Sequence, residues 1–165
     1  MEKTACFTGH RVLSENPKQL FGRLYAVLEK VVREKGITDF YAGGAVGFDM
    51  IAEKCVLRLR DAGNTDVKLH LVLPCSNEEQ TRSWNAEQKY EFRCILQRAD
   101  SVEYTSQMHT LDCMGRRNAR LVEHASGLCI CYYDIRRKTG TAQTVSLAKK
   151  KGLEIINLFA QSRKV

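Results

Sequence analysis

The sequence predicts an α/β protein: a three-layer, Rossmann-like domain with a mainly parallel central sheet flanked by helices. Two observations carry this. Apolar stretches of strand length alternate about six times with stretches of helical periodicity, the pattern of a parallel sheet covered on both faces. The strand-length stretches are also nearly continuous in apolar residues, as central parallel strands must be when both their faces are buried.

In order, Thr4–Phe7 reads as a short buried strand. Leu20, Phe21, Leu24, Tyr25, Leu28, Val31 and Val32 then recur at helical spacing, and Lys35-Gly36 supplies a stop. Asp39–Ala42 is the second strand. Phe48, Ile51, Ala52, Cys55, Val56 and Leu59 form a second amphipathic helix that ends near Gly63. Val67–Leu73 is the third strand, closed by Pro74. Trp84–Ala99 reads as a helix with Phe92, Ile95, Leu96 and Ala99 on one face, and Ser101–Tyr104 as a short strand. Leu111, Met114, Leu121, Val122 and Ala125 give another helix stripe. Gly127–Tyr133 is the strongest strand, Thr141–Lys150 a short helix, and Glu154–Phe159 the last strand. No repeat, low-complexity linker or boundary divides residues 1–165, so a single Rossmann-like domain is expected.

Composition narrows the class. With 165 residues, 44% apolar, 27% charged and two prolines, the chain is neither collagen-like nor broadly disordered. Its apolar runs fall short of a membrane span, and Met1-Glu2-Lys3 does not open a secretory signal. A cytoplasmic location, without membrane attachment, is expected. The seven cysteines are odd in number and lack a Cys-x-x-Cys pair, so structural thiols are expected rather than disulfides or zinc. Cys129 and Cys131 alternate with Leu128 and Ile130 and should share one face of a strand.

The net charge of +7 is concentrated late in the sequence, where Asp134–Val165 holds eight Lys or Arg against two acids. The clusters are Arg136-Arg137-Lys138, Lys149-Lys150-Lys151 and Arg163-Lys164. They read as solvated helix and tail charges, as a polyanion surface, or as a basic rim for a phosphorylated small molecule.

In open α/β sheets, ligands bind beyond the carboxyl ends of the strands. Three loops occupy such places: Thr8-Gly9-His10-Arg11, then Gly43-Gly44-Ala45-Val46-Gly47-Phe48-Asp49, then Lys138-Thr139-Gly140-Thr141. Glycine there lets backbone amides approach an anion, and the helix dipole behind favours negative charge. Arg11 adds a forked contact. Each glycine also has a plain reading as a tight turn. No Gly-Lys-Ser/Thr and no Gly-x-Gly-x-x-Gly after the first strand is present, which argues against a nucleoside triphosphatase or an ordinary dehydrogenase.

Together with Phe7, Ala52, the Arg117-Asn118 pair and Ala148, these loops resemble the SLOG superfamily, and within it the YpsA/YoqJ-like branch of small bacterial proteins. The resemblance covers essentially the whole chain, including Trp84 ahead of Tyr90, Ala99-Asp100 and the closing strand. It implies a Rossmann-like fold related to the DNA-processing protein A and to lysine-decarboxylase-like phosphoribohydrolases. It also implies nucleotide-derived ligands, bound by a sensor or a processing enzyme.

Carried over residue by residue, the resemblance assigns Gly9 and Arg11 to one anionic end of the ligand. Gly43, Gly44 and Gly47 would form the main phosphate cradle, with Thr8, Ala45, Gly140 and Thr141 as further ligand-binding residues. Asp49 would face a ribose hydroxyl, or serve as a first-turn acid of its helix. Arg117 and Asn118 would face inward, Asn118 touching ligand or satisfying backbone groups. His10 is an acid–base or hydrogen-bonding group.

One departure stands out. The phosphoribohydrolase relatives carry a glutamate in Pro-Gly-Gly-x-Gly-Thr-x-x-Glu, where this chain has Thr144. A hydroxyl cannot act as a carboxylate at neutral pH. Asp49 and Glu53, four residues apart on one helix face, are the alternative carboxylates. The expectation is therefore a domain that senses or sequesters a phosphorylated nucleoside derivative, with no cofactor or metal and no assigned catalytic residue. A hydrolase of such a ligand's glycosidic or phosphate bond is the second reading, and single-stranded DNA binding the third. A homo-oligomer is left open.

Overall fold

The computed structural model describes residues 3–159, so the Arg163-Lys164 cluster lies outside the described residues. Six strands form one parallel sheet in the order β4-β3-β2-β1-β5-β6. They are β1 (Thr4–Gly9), β2 (Asp39–Ala42), β3 (Lys68–Leu73), β4 (Ser101–Tyr104), β5 (Leu128–Tyr132) and β6 (Glu154–Asn157). The helices are α1 (Pro17–Lys35), α2 (Phe48–Asp61), α3 (Asn77–Thr81), α4 (Ala86–Arg98), α5 (Cys113–His124) and α6 (Gly140–Lys151). This is the Rossmann-like α/β arrangement the alternation predicts.

The chain steps outward from β1 through β4, then returns to the other side of β1 to lay down β5 and β6. The reversal leaves a crevice beyond the carboxyl ends of β1 and β5, the place where open α/β sheets bind ligands.

Period-two alternation distributes the core. Ala5, Phe7, Leu128, Ile130 and Tyr132 belong to the larger apolar cluster, with Leu20, Leu24 and Leu28 of α1 and Ala52, Cys55 and Val56 of α2. Cys6, Cys129 and Cys131 point the other way, against Leu121, Val122, Val145 and Ala148 of α5 and α6. All seven cysteines are free thiols, and Cys129 and Cys131 share a face as their spacing predicts.

Local signals explain the helix ends. Asn16 caps α1, its Oδ1 accepting from Lys18 N–H at 2.8 Å, with Pro17 as the first helical residue. Gly36 closes the same helix at φ 66°. Asn85 and Gln88 form a capping box, so α4 starts at Ala86 and Trp84 lies ahead of it, packed edge-on against Phe92 at 5.4 Å.

Several features differ from the sequence reading. Helix α3 was not foreseen, because Asn77–Thr81 has no buried residue and hence no apolar stripe. Leu111 precedes α5 and is fully exposed, so it does not belong to that helix's apolar face. The last strand stops at Asn157, two residues before Phe159.

Candidate functional site

Three loops meet at the crevice: residues 10–16 after β1, 43–47 after β2 and 133–139 after β5. His10 ties them together. Its amide donates to the Tyr132 carbonyl at 3.3 Å, and its carbonyl accepts from Phe48 N–H at 3.1 Å. Its ring Nε2 accepts from the amide of Asp134 at 2.9 Å, which leaves the proton on Nδ1, 3.2 Å from Thr139 Oγ1. Burial first, and then Arg137, hold the imidazole below its ordinary pKa, so it is neutral at neutral pH. Both ring nitrogens are engaged between loops, which favours the hydrogen-bonding reading of His10 over the acid–base one.

The cavity at this junction has a volume of about 310 Å³, the lower end of the range for small-molecule sites. Thr8, Gly9, His10, Arg11, Ala45, Asp49, Arg117, Asn118, Gly140 and Thr141 all contribute to its wall. Ten of the thirteen residues singled out in the sequence are thus gathered in one place. Gly43, Gly44 and Gly47 are not on the wall.

The reason is visible at each glycine. A Cβ on Gly43 would lie 2.6 Å from Arg117 Nη1 and 2.9 Å from Asp49 Oδ2. One on Gly44, which has φ 72°, would overlap Leu73 Cδ2 and press on Phe92. One on Gly47, at φ 82°, would overlap the backbone of Arg11. Gly9, although on the wall, also makes room for Phe48, whose Cβ would be 2.5 Å away. The glycines of the second loop therefore accommodate other parts of the protein.

The amides of that loop are occupied too. Gly44 N–H donates to Glu53 Oε2 at 2.9 Å, and Ala45 N–H to Asp49 Oδ2 at 3.2 Å. Two side-chain carboxylates stand where the sequence reading places a phosphate. Gln80 holds the same loop from the other side, donating to the Gly44 carbonyl at 2.9 Å.

Positive charge converges on the cavity from three elements. Arg117 of α5 is buried and donates to Gly43 O at 2.5 Å and to Asn118 Oδ1 at 2.9 Å. Arg137, of the third loop, donates to the Val12 carbonyl at 2.8 Å. Arg11 Nη2 approaches Met114 Sδ at 3.7 Å. These partners are all neutral atoms. Among the described residues, Asp49 is the one carboxylate on the wall. Burial raises its pKa, against the pull of Arg117, the Ala45 amide and Arg11. Gly140 and Thr141 add the positive end of the α6 dipole, and Thr139 caps that helix by accepting from Thr141 N–H at 3.3 Å.

Thr144 is fully buried, and its hydroxyl donates to the Gly140 carbonyl at 3.1 Å, one turn back along α6. It is not on the wall. Asn118 Nδ2 lies 3.5 Å from that same carbonyl, so Asn118 bridges Arg117 and the start of α6.

The family model YpsA, described as the YspA SLOG family, matches residues 18–157. The chain belongs to this SLOG family. A relative, the uncharacterized SPbeta prophage-derived protein YoqJ of Bacillus subtilis (strain 168), is 26% identical over 144 residues, spanning 80% of this chain and 81% of its own. Among solved structures, a muconate lactonizing enzyme from Mucobacterium smegmatis overlays 94% of this chain and 46% of its own, at 15% identity and a TM-score of 0.36. The chain spans less than half of that enzyme, and the overlay bears on neither fold nor reaction.

Sequence reasoning did not place Arg137, Val12, Met114 or Thr139 on the wall. Arg137 sits in a basic run that looks like any solvated cluster. Its neighbour Arg136 is used differently, clamping buried Asp134 through Nε and Nη2, each at 3.0 Å. No helix of the described residues is long and apolar enough to cross a membrane.

Proposed function

We propose that the protein binds a phosphorylated, nucleotide-derived small molecule in the cavity above β1 and β5. One observation carries the reading: Arg11, Arg117 and Arg137 converge with the α6 N-terminus on a space bordered by a single carboxylate among the described residues. Guanidiniums and a helix N-terminus are complementary to a phosphate in both charge and geometry. The anionic group lies toward Arg137, Gly140 and Thr141, because the amides of Gly44 and Ala45 are already taken by Glu53 and Asp49. Asp49 then faces a ligand hydroxyl as an acceptor. The α/β switch point supplies the concave wall, and a nucleotide-derived ligand is what the resemblance to SLOG proteins implies.

A sensing or sequestering role fits a wall whose His10 is locked between loops, with Thr144 off the wall and turned into α6. Turnover would have to draw on Asp49. Small molecules released from the purified protein by denaturation, identified by mass spectrometry, test the ligand class directly. Calorimetry with AMP then compares the parent with Arg137→Gln, which should bind at least about tenfold more weakly, the worth of one charge-assisted contact. No nucleotide-derived molecule on the protein, and AMP affinity indifferent to Arg137, would defeat the reading.

A further inference from the structure

Behind the cavity wall, Asp49 and Glu53 stand one helical turn apart on the buried face of α2. Glu53 is fully buried. Its Oε2 accepts from Gly44 N–H, while Oε1 is out of contact with solvent and has no hydrogen-bond partner among the described residues. An ionised carboxylate in that position would leave one oxygen without any compensation, which is costly.

The charges facing the pair are few. Arg117 approaches from α5 and Arg11 from the loop after β1. Lys54 lies on α2 itself and is held by Glu91 at 2.7 Å. Gln80, from α3, is neutral and donates to the Gly44 carbonyl. Two buried carboxylates therefore share one buried cation, Arg117. Burial, and after it the neighbouring Asp49, push Glu53 well above the ordinary carboxylate range, against the Gly44 amide, Arg117 and Lys54.

We propose that Glu53 stores a proton at neutral pH, on the oxygen that has no partner, and that this proton is what lets the cavity accept an anion beside Asp49. The inference rests on the anion-binding reading above. With the proton in place, Asp49, Glu53 and Arg117 sum to zero charge, and Arg11 and Arg137 present a positive cavity. When the proton leaves, the buried group becomes negative behind the wall, out of contact with solvent, and repels the ligand. Binding is then strongest at low pH and weakens as pH rises through the titration of the pair, which ionises as a unit. One linked proton gives a fall of up to about tenfold per pH unit.

Sulfate is the probe, because it stays a dianion from mildly acidic to alkaline pH and any pH dependence belongs to the protein. Infrared difference spectroscopy of the parent at neutral pH should show the carbonyl band of a neutral carboxylic acid. Glu53→Gln should lack it. Sulfate affinity should fall with pH as that band disappears, and Glu53→Gln, which mimics the neutral acid, should bind sulfate independently of this transition. No band at neutral pH would overturn the proposal, as would a band whose loss leaves sulfate affinity unchanged. Both measurements on the parent stand without the variant, should Glu53→Gln fail to fold. Absence of sulfate binding at every pH would sink the anion-binding reading and this linkage with it, whereas binding without linkage sinks this proposal alone.

Discussion

Gly47 and Arg11 meet backbone to backbone. A side chain on Gly47 would overlap the Cα and carbonyl of Arg11, and the glycine holds φ 82°. The loop after β2 is thereby pressed onto the loop after β1, and the cavity wall depends on this closeness.

Gly47→Ala should therefore destabilise the protein by about 2–4 kcal/mol, combining a backbone conformation that L-residues avoid with a clash that neither loop can relieve cheaply. Urea unfolding measures it. A loss under about 1 kcal/mol would mean that the two loops part easily.

At Gly43 the obstruction is different, since the atoms in the way are the ends of the Arg117 and Asp49 side chains. Gly43→Ala should fold, displace the Arg117 guanidinium and weaken AMP or sulfate binding by about tenfold. Arg117→Ala should lose a similar amount, and the double variant little more, because both changes remove the same contact. Additive losses in a calorimetric double-mutant cycle would contradict that shared cause.

Lys151 serves the fold. Its Nζ donates to the carbonyls of Val122 and Glu123, each at 2.9 Å, and of Ala125 at 2.7 Å, closing the carboxyl end of α5. Lys151→Met should cost about 1–2 kcal/mol in chemical denaturation. Lys149→Gln and Lys150→Gln should each stay within about 0.5 kcal/mol, as exposed charges do. Equal effects at all three positions would deny the cap. Any test of nucleic-acid binding at this cluster should spare Lys151.

His10 gives a pH signature. Its folded pKa is lowered, so the unfolded chain takes up the proton first as pH falls. The stability it contributes is complete above the unfolded value of about 6.5 and is lost as pH drops from there toward the folded value. Denaturation of the parent and His10→Gln across mildly acidic pH should therefore show a stability difference that shrinks on acidification. A constant difference would mean that the imidazole is not held neutral.

The alternation of strands and helices, the two-faced burial of β1 and β5 and the free cysteines were all legible along the chain, because periods of two and 3.6 are local properties of the backbone. So was the gathering of Thr8–Arg11, Asp49 and Gly140-Thr141, since parallel topology brings every strand's carboxyl end to one side, whereas Arg117, inside α5, entered only through the family resemblance. What the glycines of residues 43–47 were for was not legible. The atoms that crowd them come from Leu73, Arg11 and Arg117, distant in sequence, and the groups that take the loop's amides are the protein's own carboxyls, Asp49 and Glu53. Likewise, nothing local separates Arg137 from Arg136, or Lys151 from Lys149. Each pair shares the same chemistry and nearly the same place in the chain, and only the packing of α5 against α6 and of one loop against another decides which cation faces the cavity, which clamps Asp134 and which caps a helix.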